Sequence, residues 1–182
     1  MAVDGSDLFV SDGLPSVVAV DGPDLFATAQ DRIAEVDLAT GRVVRTMSGK
    51  AYHLGVVSKW SSVIELNVAT GAVVRVISEP VYGFRWPAAI LVHGGEVLIA
   101  NESDPVIEFF EASPVYSSVT ELDARTGRLI VVLRGPRYGF DGPVALTLVG
   151  NEVFVANTVG NSLTVLPVAT ASPATGTPGL HS

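Results

Sequence analysis

The sequence of 182 residues contains no cysteine. This excludes disulfides and thiolate chemistry, but it leaves the redox compartment open because a chain without cysteine suits any of them. Basic residues are also few, since 11 Lys and Arg stand against 19 Asp and Glu and give a formal net charge of −8. Nucleic acids and anionic membrane surfaces both require a basic footprint. Neither is therefore an expected partner.

Long hydrophobic runs are missing as well. Although 48% of the residues are hydrophobic, no apolar stretch approaches the roughly 20 residues of a membrane-spanning helix. The opening residues, MAVDGSDLFV, have neither the basic nor the apolar region of a secretory signal peptide. The default expectation for the chain as given is a cytoplasmic protein, or an extracellular one if the chain is a fragment of an exported parent.

Catalytic signatures are scarce. The histidines are His53, His93 and His181, and none has an evident paired nucleophile or base. The motifs G-x-S-x-G and H-E-x-x-H are absent, as is a glycine-rich loop for phosphate. We therefore predict no catalytic residue, no metal ligand and no cofactor.

What the sequence does contain is a repeat. PAAILVHGGEVLIAN (Pro87 to Asn101) returns, conservatively rewritten, as PVALTLVGNEVFVAN (Pro143 to Asn157), with the same offset at both ends. Self-similarity of this kind is the signature of a repeat architecture. Each copy holds two apolar runs around a Gly-containing turn, which is typical of a β-hairpin.

A second landmark occurs three times and also predicts a hairpin. It consists of an apolar run, an Asp or Asn, a Thr-Gly pair and a second apolar run. The three copies are VDLATGRVVRTMSG (Val36 to Gly49), LNVATGAVVRVISE (Leu66 to Glu79) and LDARTGRLIVVLRG (Leu122 to Gly135). Gly supplies the positive φ, and the side chains of Asp37, Asn67 and Asp123 are predicted to bond back to the turn.

One full repeat unit therefore holds four short strands, a to d. In the unit that begins at Pro87 we predict them near 88–93, 96–101, 117–124 and 128–134. The b–c connection of this unit carries about 12 extra residues, and without them the period is about 44, within the range of four-stranded propeller blades. The near-continuous apolar runs suit sheets covered on both faces. The predicted fold is an all-β propeller of four-stranded antiparallel blades, about four in number and incomplete.

The predicted repeat domain covers residues 1–168, with blade-like units near 1–12, 17–48, 56–78, 87–135 and 143–168. Two units are complete and three are partial. Either the partial units pair to make roughly four blades, or the chain is a fragment of a larger propeller, which is the favoured interpretation. Residues 169–182 form a Pro/Ala/Thr/Gly tail without apolar periodicity, which predicts disorder.

The blade pattern resembles a known family. P-x-A-[IL]-x-V-x-G-x-[EV]-[VL]-[FI]-[VI]-A-N, followed by S-[VL]-T-x-[LV] and D-x-x-T-G, is similar to the YVTN/NHL-type β-propeller repeats of bacterial proteins. Ile99 to Asn101 and Val155 to Asn157 match the "YVTN" part. The resemblance covers most of the chain up to about Val168. It implies a propeller fold and a scaffold with diverse partners rather than one particular activity.

The unusual sequence is predicted to lie on one face of the propeller. The d–a loops PVYGFRWP (Pro80 to Pro87) and PRYGFDGP (Pro136 to Pro143) emerge there, together with the b–c insertion ESDPVIEFFEASPVY (Glu102 to Tyr116). Aromatic residues beside charged ones on one rim indicate a recognition surface. The candidate ligand-binding residues are Tyr82, Phe84, Arg85, Trp86, Tyr138, Phe140, Asp141, Glu102 and Asp104.

Two alternatives qualify these candidates. The Tyr and Phe residues recur in register between the two loops, which favours plugs that close each blade onto the next. Arg85, Trp86 and Asp141 do not recur and are the stronger binding candidates.

The insertion also carries an acidic cluster whose carboxylates could collect Ca²⁺. Its spacing does not match an EF-hand loop, so a solvated charged loop is favoured. The members of the cluster are Glu102, Asp104, Glu108 and Glu111.

Two functions follow from this interpretation. The preferred one is a non-catalytic propeller that acts as an interaction scaffold and binds a protein or glycan through its loop-rich face. The alternative is a metal-dependent, lactonase-like propeller hydrolase or lyase with its metal at the channel mouth. Asn101 and Asn157 end strand b near that mouth, but their repetition favours turn capping. Unpaired sheet edges in an incomplete propeller additionally predict self-association.

Overall fold

The structure, a computed structural model, describes residues 2–4, 7–12, 17–21, 24–28, 32–37, 39–40, 42–48, 62–102 and 117–168. Three predicted features lie outside the described residues: the first part of the unit at 56–78, most of the insertion with Asp104, Glu108 and Glu111, and the tail at 169–182. None of the helical segments in the described part of the chain is long and apolar enough to cross a bilayer.

The described residues form 15 strands and two 3-10 turns, so the chain is all-β as predicted. The strands are β1 (Ala2–Asp4), β2 (Asp7–Asp12), β3 (Val17–Asp21), β4 (Asp24–Thr28), β5 (Arg32–Asp37), β6 (Val43–Ser48), β7 (Val63–Asn67), β8 (Val73–Ile77), β9 (Pro87–His93), β10 (Glu96–Asn101), β11 (Ser118–Asp123), β12 (Leu129–Arg134), β13 (Pro143–Val149), β14 (Glu152–Asn157) and β15 (Ser162–Pro167). The four strands predicted between Pro87 and Gly135 are confirmed.

These strands make four antiparallel sheets. Sheet 1 has the order β1-β2-β5-β6, sheet 2 β3-β4-β7-β8, sheet 3 β9-β10-β11-β12, and sheet 4 β13-β14-β15. Strand β1 contacts β3, β3 contacts β9, and β9 contacts β13, so the first strands adjoin one another in chain order. This is the arrangement of propeller blades around an axis. Sheet 4 has only three strands within the described residues, and the propeller-like fold is accordingly incomplete.

The N-terminal half corrects one prediction, that 17–48 forms a single unit. Strand β2 pairs with β5, where Phe9 lies opposite Glu35. Strand β4 pairs instead with β7, where Phe26 lies opposite Glu65. The two blades are thus interleaved along the chain, and the alternative in which partial units pair to give four blades is the one observed. The β1–β2 and β3–β4 hairpins have nearly the same sequence, and β5 and β7 each carry a Glu at the same register position. Local sequence therefore does not determine which hairpin pairs with which strand.

The Thr-Gly turns form as predicted. The Oδ1 atoms of Asp37, Asn67 and Asp123 each accept two hydrogen bonds from the threonine three positions on, one from its backbone N–H and one from its hydroxyl. The threonine hydroxyl contributes most to holding the pKa of Asp37 and Asp123 below the usual range of aspartate. These three side chains therefore have a structural role, which is to stabilise the turns.

The hydrophobic core lies between neighbouring sheets rather than inside any one of them. One cluster joins sheets 2 and 3 and consists of Val63, Ile77, Phe84, Val97, Ile99 and Leu122. The other joins sheets 3 and 4 and consists of Leu98, Val119, Phe140, Val153, Val155 and Leu166. Strand β10 sends alternate residues into both clusters. Because both faces of sheet 3 are covered, its strands are near-continuous apolar runs.

An ion pair with an extra hydrogen bond also joins sheets 2 and 3. Glu65 on β7 is 2% exposed and pairs with Arg75 on the adjacent strand β8. The Arg75 guanidinium extends into sheet 3, where Nη2 donates to the backbone carbonyl of Arg125 at 2.7 Å. Gly127 provides the space, since a Cβ there would lie 2.9 Å from Cδ of Arg75. We call this arrangement an arginine clasp.

Sheets 1 and 2 are joined by a second arginine clasp. Glu35 on β5 is 4% exposed and pairs with Arg45 on β6. The Arg45 guanidinium also donates to the carbonyl of Val68 in the turn after β7. Here Gly71 takes the place of Gly127, since its Cβ would lie 2.8 Å from Nη1 of Arg45. The glycine of each turn thus has two roles: it adopts the positive φ that the turn requires, and its lack of a Cβ leaves space for the arginine side chain.

We predict that Gly127→Ala destabilises the fold more than Gly94→Ala. Both glycines have positive φ, 69° and 62°, so both variants incur a cost of about 1–2 kcal/mol for the left-handed conformation. The Cβ at position 94 meets nothing within 4 Å, whereas at 127 it displaces Arg75 from the partly buried clasp. We expect a difference of about 1 kcal/mol or more in the free energy of unfolding, measured with urea.

The double variant Arg75→Ala/Gly127→Ala tests the cause. If displacement of the arginine explains the excess, the combined cost is smaller than the sum of the single costs. Equal costs for Gly127→Ala and Gly94→Ala would contradict the role of Gly127 as a seat.

Candidate functional site

The candidate site is built on two d–a loops that have the same backbone. Each begins with a proline that opens a 3-10 turn, Pro80–Tyr82 in the first loop and Pro136–Tyr138 in the second. Each turn is closed by a glycine in the left-handed conformation, Gly83 with φ 63° and Gly139 with φ 62°. Proline presets the entry angle and glycine permits the exit, so the repeated sequence gives a repeated shape.

The aromatic residues of the loops act mainly as packing groups. Tyr82 stacks on Phe84 with ring centroids 5.5 Å apart, and Tyr138 stacks on Phe140 at 5.4 Å. Phe84 is 2% exposed and Phe140 is 4% exposed, each in the core between two sheets. Phe84 and Phe140 are therefore corrected from ligand contacts to plugs, the favoured alternative. Tyr82 and Tyr138 are half-buried over them.

A buried asparagine anchors the first loop. Asn101, at the end of β10, is fully buried, and its Oδ1 accepts the backbone N–H of Arg85 at 3.3 Å. Its Nδ2 donates to the hydroxyls of Thr120 at 3.0 Å and Ser118 at 3.2 Å. The Thr120 hydroxyl in turn donates to the carbonyl of Tyr82 at 2.8 Å. The loop is thus tied to strands b and c through its backbone.

The second loop is anchored in the same way by Asn157. Its Oδ1 accepts the backbone N–H of Asp141 at 3.2 Å, and its Nδ2 donates to the hydroxyl of Thr164 at 3.1 Å. Thr164 donates to the carbonyl of Tyr138 at 2.9 Å. Both asparagines thus hold the loop backbones, as expected of turn caps.

Because the anchors hold only backbone atoms, the side chains at the anchored position are free to differ. Arg85 and Asp141 occupy equivalent positions of the two loops and carry opposite charges, and both are half-buried. An invariant backbone with variable side chains is how loops on rigid scaffolds carry recognition residues.

The next position departs further from the repeat. Trp86 has a φ of 44°, and its counterpart Gly142 has a φ of 67°, so the loop requires the left-handed region here. A Cβ at Gly142 would lie 2.7 Å from Val159, whereas the first loop accommodates a whole indole. For a side chain as bulky as tryptophan this conformation costs about 1–2 kcal/mol. The side chain of Trp86 is half-buried.

A chain of hydrogen bonds joins the two loops to the ends of the insertion. The backbone N–H of Glu102 donates to the carbonyl of Trp86 at 3.1 Å. The buried Ser117 hydroxyl donates to the carbonyl of Glu102 at 3.2 Å and accepts the backbone N–H of Gly142 at 3.2 Å. We call the surface formed by Arg85, Trp86, Glu102 and Asp141 the rim. Sequence reasoning missed Ser117, because the equivalent position of the other repeat is Asn161 and the serine does not recur.

Within the described residues, no group of three or more His, Cys, Asp or Glu side chains lies close enough together to hold a metal ion. Asp104, the remaining predicted site residue, lies outside them.

Comparisons with known proteins concern the fold alone. No protein-family model matches the chain, and no curated protein matches it. A functionally unknown protein from Desulfotomaculum acetoxidans DSM 771 has a TM-score of 0.50 and 16% identity over 90% of this chain and 54% of its own. Saccharomyces cerevisiae Sqt1 has a TM-score of 0.48 and 8% identity, over 80% of this chain and 40% of its own.

Kuenenia stuttgartiensis hydrazine synthase has a TM-score of 0.44 and 12% identity, over 84% of this chain and 71% of its own. The chain spans less than two thirds of the length of Sqt1 and of the Desulfotomaculum protein. Of these three, the Desulfotomaculum protein reaches a TM-score of 0.50 and indicates similarity of fold alone. It does not establish the YVTN/NHL relationship that the repeat suggests.

We predict that Asn101→Ala destabilises the protein by about 1–3 kcal/mol, because a buried backbone N–H and two hydroxyls lose their partner. Asn151→Ala is the matched control, since Asn151 is exposed in the β13–β14 turn and should change the free energy of unfolding by less than about 0.5 kcal/mol. Urea unfolding measures both. Similar values for the two variants would refute the anchor role of Asn101.

Proposed function

We propose that this protein is a YVTN/NHL-type β-propeller repeat protein that acts as a non-catalytic binding scaffold. The rim is its recognition surface, and its partner is a protein or a glycan. The observation that carries the proposal is Trp86, a large aromatic held at a φ of 44° where the other repeat has Gly142. Strained side chains of this kind concentrate at functional sites, because folding alone gives no reason to keep them.

The construction of the rim supports binding. Asn101 and Asn157 fix the loop backbones before any partner arrives, which lowers the ordering cost of association. Tryptophan and arginine are the residue types most enriched where interfaces concentrate their binding energy. The carboxylates of Glu102 and Asp141 add polar groups of the opposite sign near them. An aromatic residue among charges of both signs suits a protein surface or a glycan.

A second contact surface is proposed at the edge of sheet 4. Strand β15 is the outer strand of this sheet within the described residues, and its Leu163 is 67% exposed. An exposed apolar edge strand offers unpaired backbone groups to another strand. We expect the protein to self-associate through β15.

Light scattering tests the edge. We expect dimers or larger species for the natural chain and a shift toward monomer for Leu163→Lys, because a charged edge opposes strand pairing. Val81→Lys is the control, since Val81 is also exposed, at 59%, but lies in the 3-10 turn Pro80–Tyr82 and not on a strand. A monodisperse natural chain, or equal shifts for both variants, would contradict association through β15.

Two variants test the rim without removing the fold. Trp86→Gly adopts the residue that the other loop uses, so loss of strain offsets loss of packing, and we expect a melting temperature within about 4 °C of the natural chain. The second variant replaces residues 102–116 by Thr158–Asn161. It should also fold, because the N–H of Thr158 bonds to Gly142 as that of Glu102 bonds to Trp86.

Affinity capture with quantitative mass spectrometry, followed by titration of the purified partner, measures the result. We expect both variants to weaken binding at least tenfold, while Val149→Ala, at the end of β13 opposite the rim, leaves it unchanged. Unchanged binding by both folded rim variants would show that the recognition surface lies elsewhere. One tightly held divalent ion per chain after extensive dialysis would overturn the non-catalytic scaffold in its simple form.

A further inference from the structure

A cleft of about 240 Å³ opens between sheets 3 and 4, away from the rim residues. Leu98 and Leu133 line it from sheet 3, and Val153 and Leu166 line it from sheet 4. Two carboxylates, those of Glu96 and Glu121, lie in this largely apolar wall. The volume is below the roughly 300–1,000 Å³ of pockets for drug-sized ligands, so the cleft is suited to a group the size of one side chain.

The internal repeat shows what the other junctions place at this position. Across strands c and d, Glu35 lies opposite Arg45 in sheet 1, and Glu65 lies opposite Arg75 in sheet 2. In both cases the guanidinium pairs with the glutamate and bonds to a carbonyl of the next sheet.

In sheet 3 the glutamate is present but the arginine is not, because Glu121 lies opposite Val131. The described part of the wall that would receive the guanidinium extends to Val168. Val168 lines the cleft, and its backbone N–H bonds to the carbonyl of Asn151. The N–H of Ala124 bonds to Gly95 in the same way in sheet 3. Val168 is thus the counterpart of Val68, whose carbonyl accepts the Arg45 guanidinium.

We propose that this cleft binds a guanidinium cation on an apolar stem, the chemistry of an arginine side chain supplied from outside the sheets. Glu121 pairs with the guanidinium, Glu96 contributes the second carboxylate, and the leucine and valine walls cover the stem. The proposal goes beyond scaffold binding at the rim and does not depend on it. It rests on two sister junctions of this chain, which hold the same cation against the same residue type.

The two carboxylates are close enough to influence one another. Glu121 lies opposite Leu98 in the sheet, and Glu96 lies two residues away on the same face. Burial, and then the charge of Glu96, raise the pKa of Glu121 to about 7. The other titratable side chains that line the cleft are His93 and Tyr138. Because a guanidinium stabilises the ionised carboxylate, it must displace the proton below pH 7, and its affinity should rise as the pH increases through that value.

The test is an NMR titration of the full chain with n-butylguanidinium, with the neutral isostere n-butylurea as the ligand control. At pH 8 we expect saturable shifts at Glu96, Glu121 and Leu98 with the cation only, and at least tenfold weaker binding at pH 5.5. An acetylated, amidated Gly-Arg-Gly peptide distinguishes the source. Tighter binding than n-butylguanidinium indicates an arginine within a polypeptide, and weaker binding indicates a small guanidino compound; both support guanidinium recognition.

Three variants make the test decisive. Glu121→Gln should weaken binding at least tenfold, whereas Glu152→Gln, an exposed glutamate outside the cleft, should leave it unchanged. Val131→Arg restores the arginine of the sister junctions, so it should raise the melting temperature and abolish binding by occupying the cleft. The proposal is overturned if n-butylguanidinium gives no saturable shifts, if n-butylurea binds equally well, or if Val131→Arg binds as tightly as the natural chain.

Discussion

A four-stranded sheet of short strands cannot bury its own apolar faces, and the whole structure depends on neighbouring sheets covering one another. Strand β10 shows the constraint most directly, because Val97 and Ile99 enter one inter-sheet core while Leu98 enters the next. Each junction is then completed from the loop that crosses it. Phe84 closes the junction between sheets 2 and 3, and Phe140 closes the one between sheets 3 and 4. In a repeat architecture, stability is the sum of such units and their nearest-neighbour interfaces.

In the proposed function, the same crossing loops can serve recognition because the asparagine anchors hold only their backbone atoms. Asn101 and Asn157 accept a backbone N–H from a residue whose side chain takes no part in the bond, Arg85 in one loop and Asp141 in the other. The fold therefore fixes where these side chains stand without fixing what they are. A surface whose backbone is already ordered loses little conformational entropy on binding. Under the proposed function, stability and recognition would thus use different atoms of the same loop.

The sequence predicts the parts of this structure that are encoded locally. The Thr-Gly turns at Asp37, Asn67 and Asp123 and the four strands from Pro87 to Gly135 follow from turn chemistry and apolar runs within a few residues of each other. The pairing of β2 with β5 and of β4 with β7 does not follow, because near-identical hairpins face equivalent partner strands. The clasps at Arg45 and Arg75 were missed because each joins residues on different strands and ends in the next sheet. The Glu96–Glu121 pair was missed because only strand register brings those carboxylates together.

Because the units repeat, the residue at a position in one unit can be compared with the residues at the equivalent positions of the others. Glycine at position 142 satisfies a left-handed loop position at no steric cost, and Trp86 satisfies the equivalent position at a cost of about 1–2 kcal/mol. Arginine at positions 45 and 75 neutralises a buried glutamate, and Val131 leaves Glu121 beside Glu96 instead. Both departures fall in the repeat between Pro80 and Arg134, and both are less favourable for folding than the residue used elsewhere in the same chain. Trp86 belongs to the rim, and Val131 lies opposite Glu121, which lines the cleft between sheets 3 and 4. The unit that packs on both neighbours therefore also carries both deviations from the repeat.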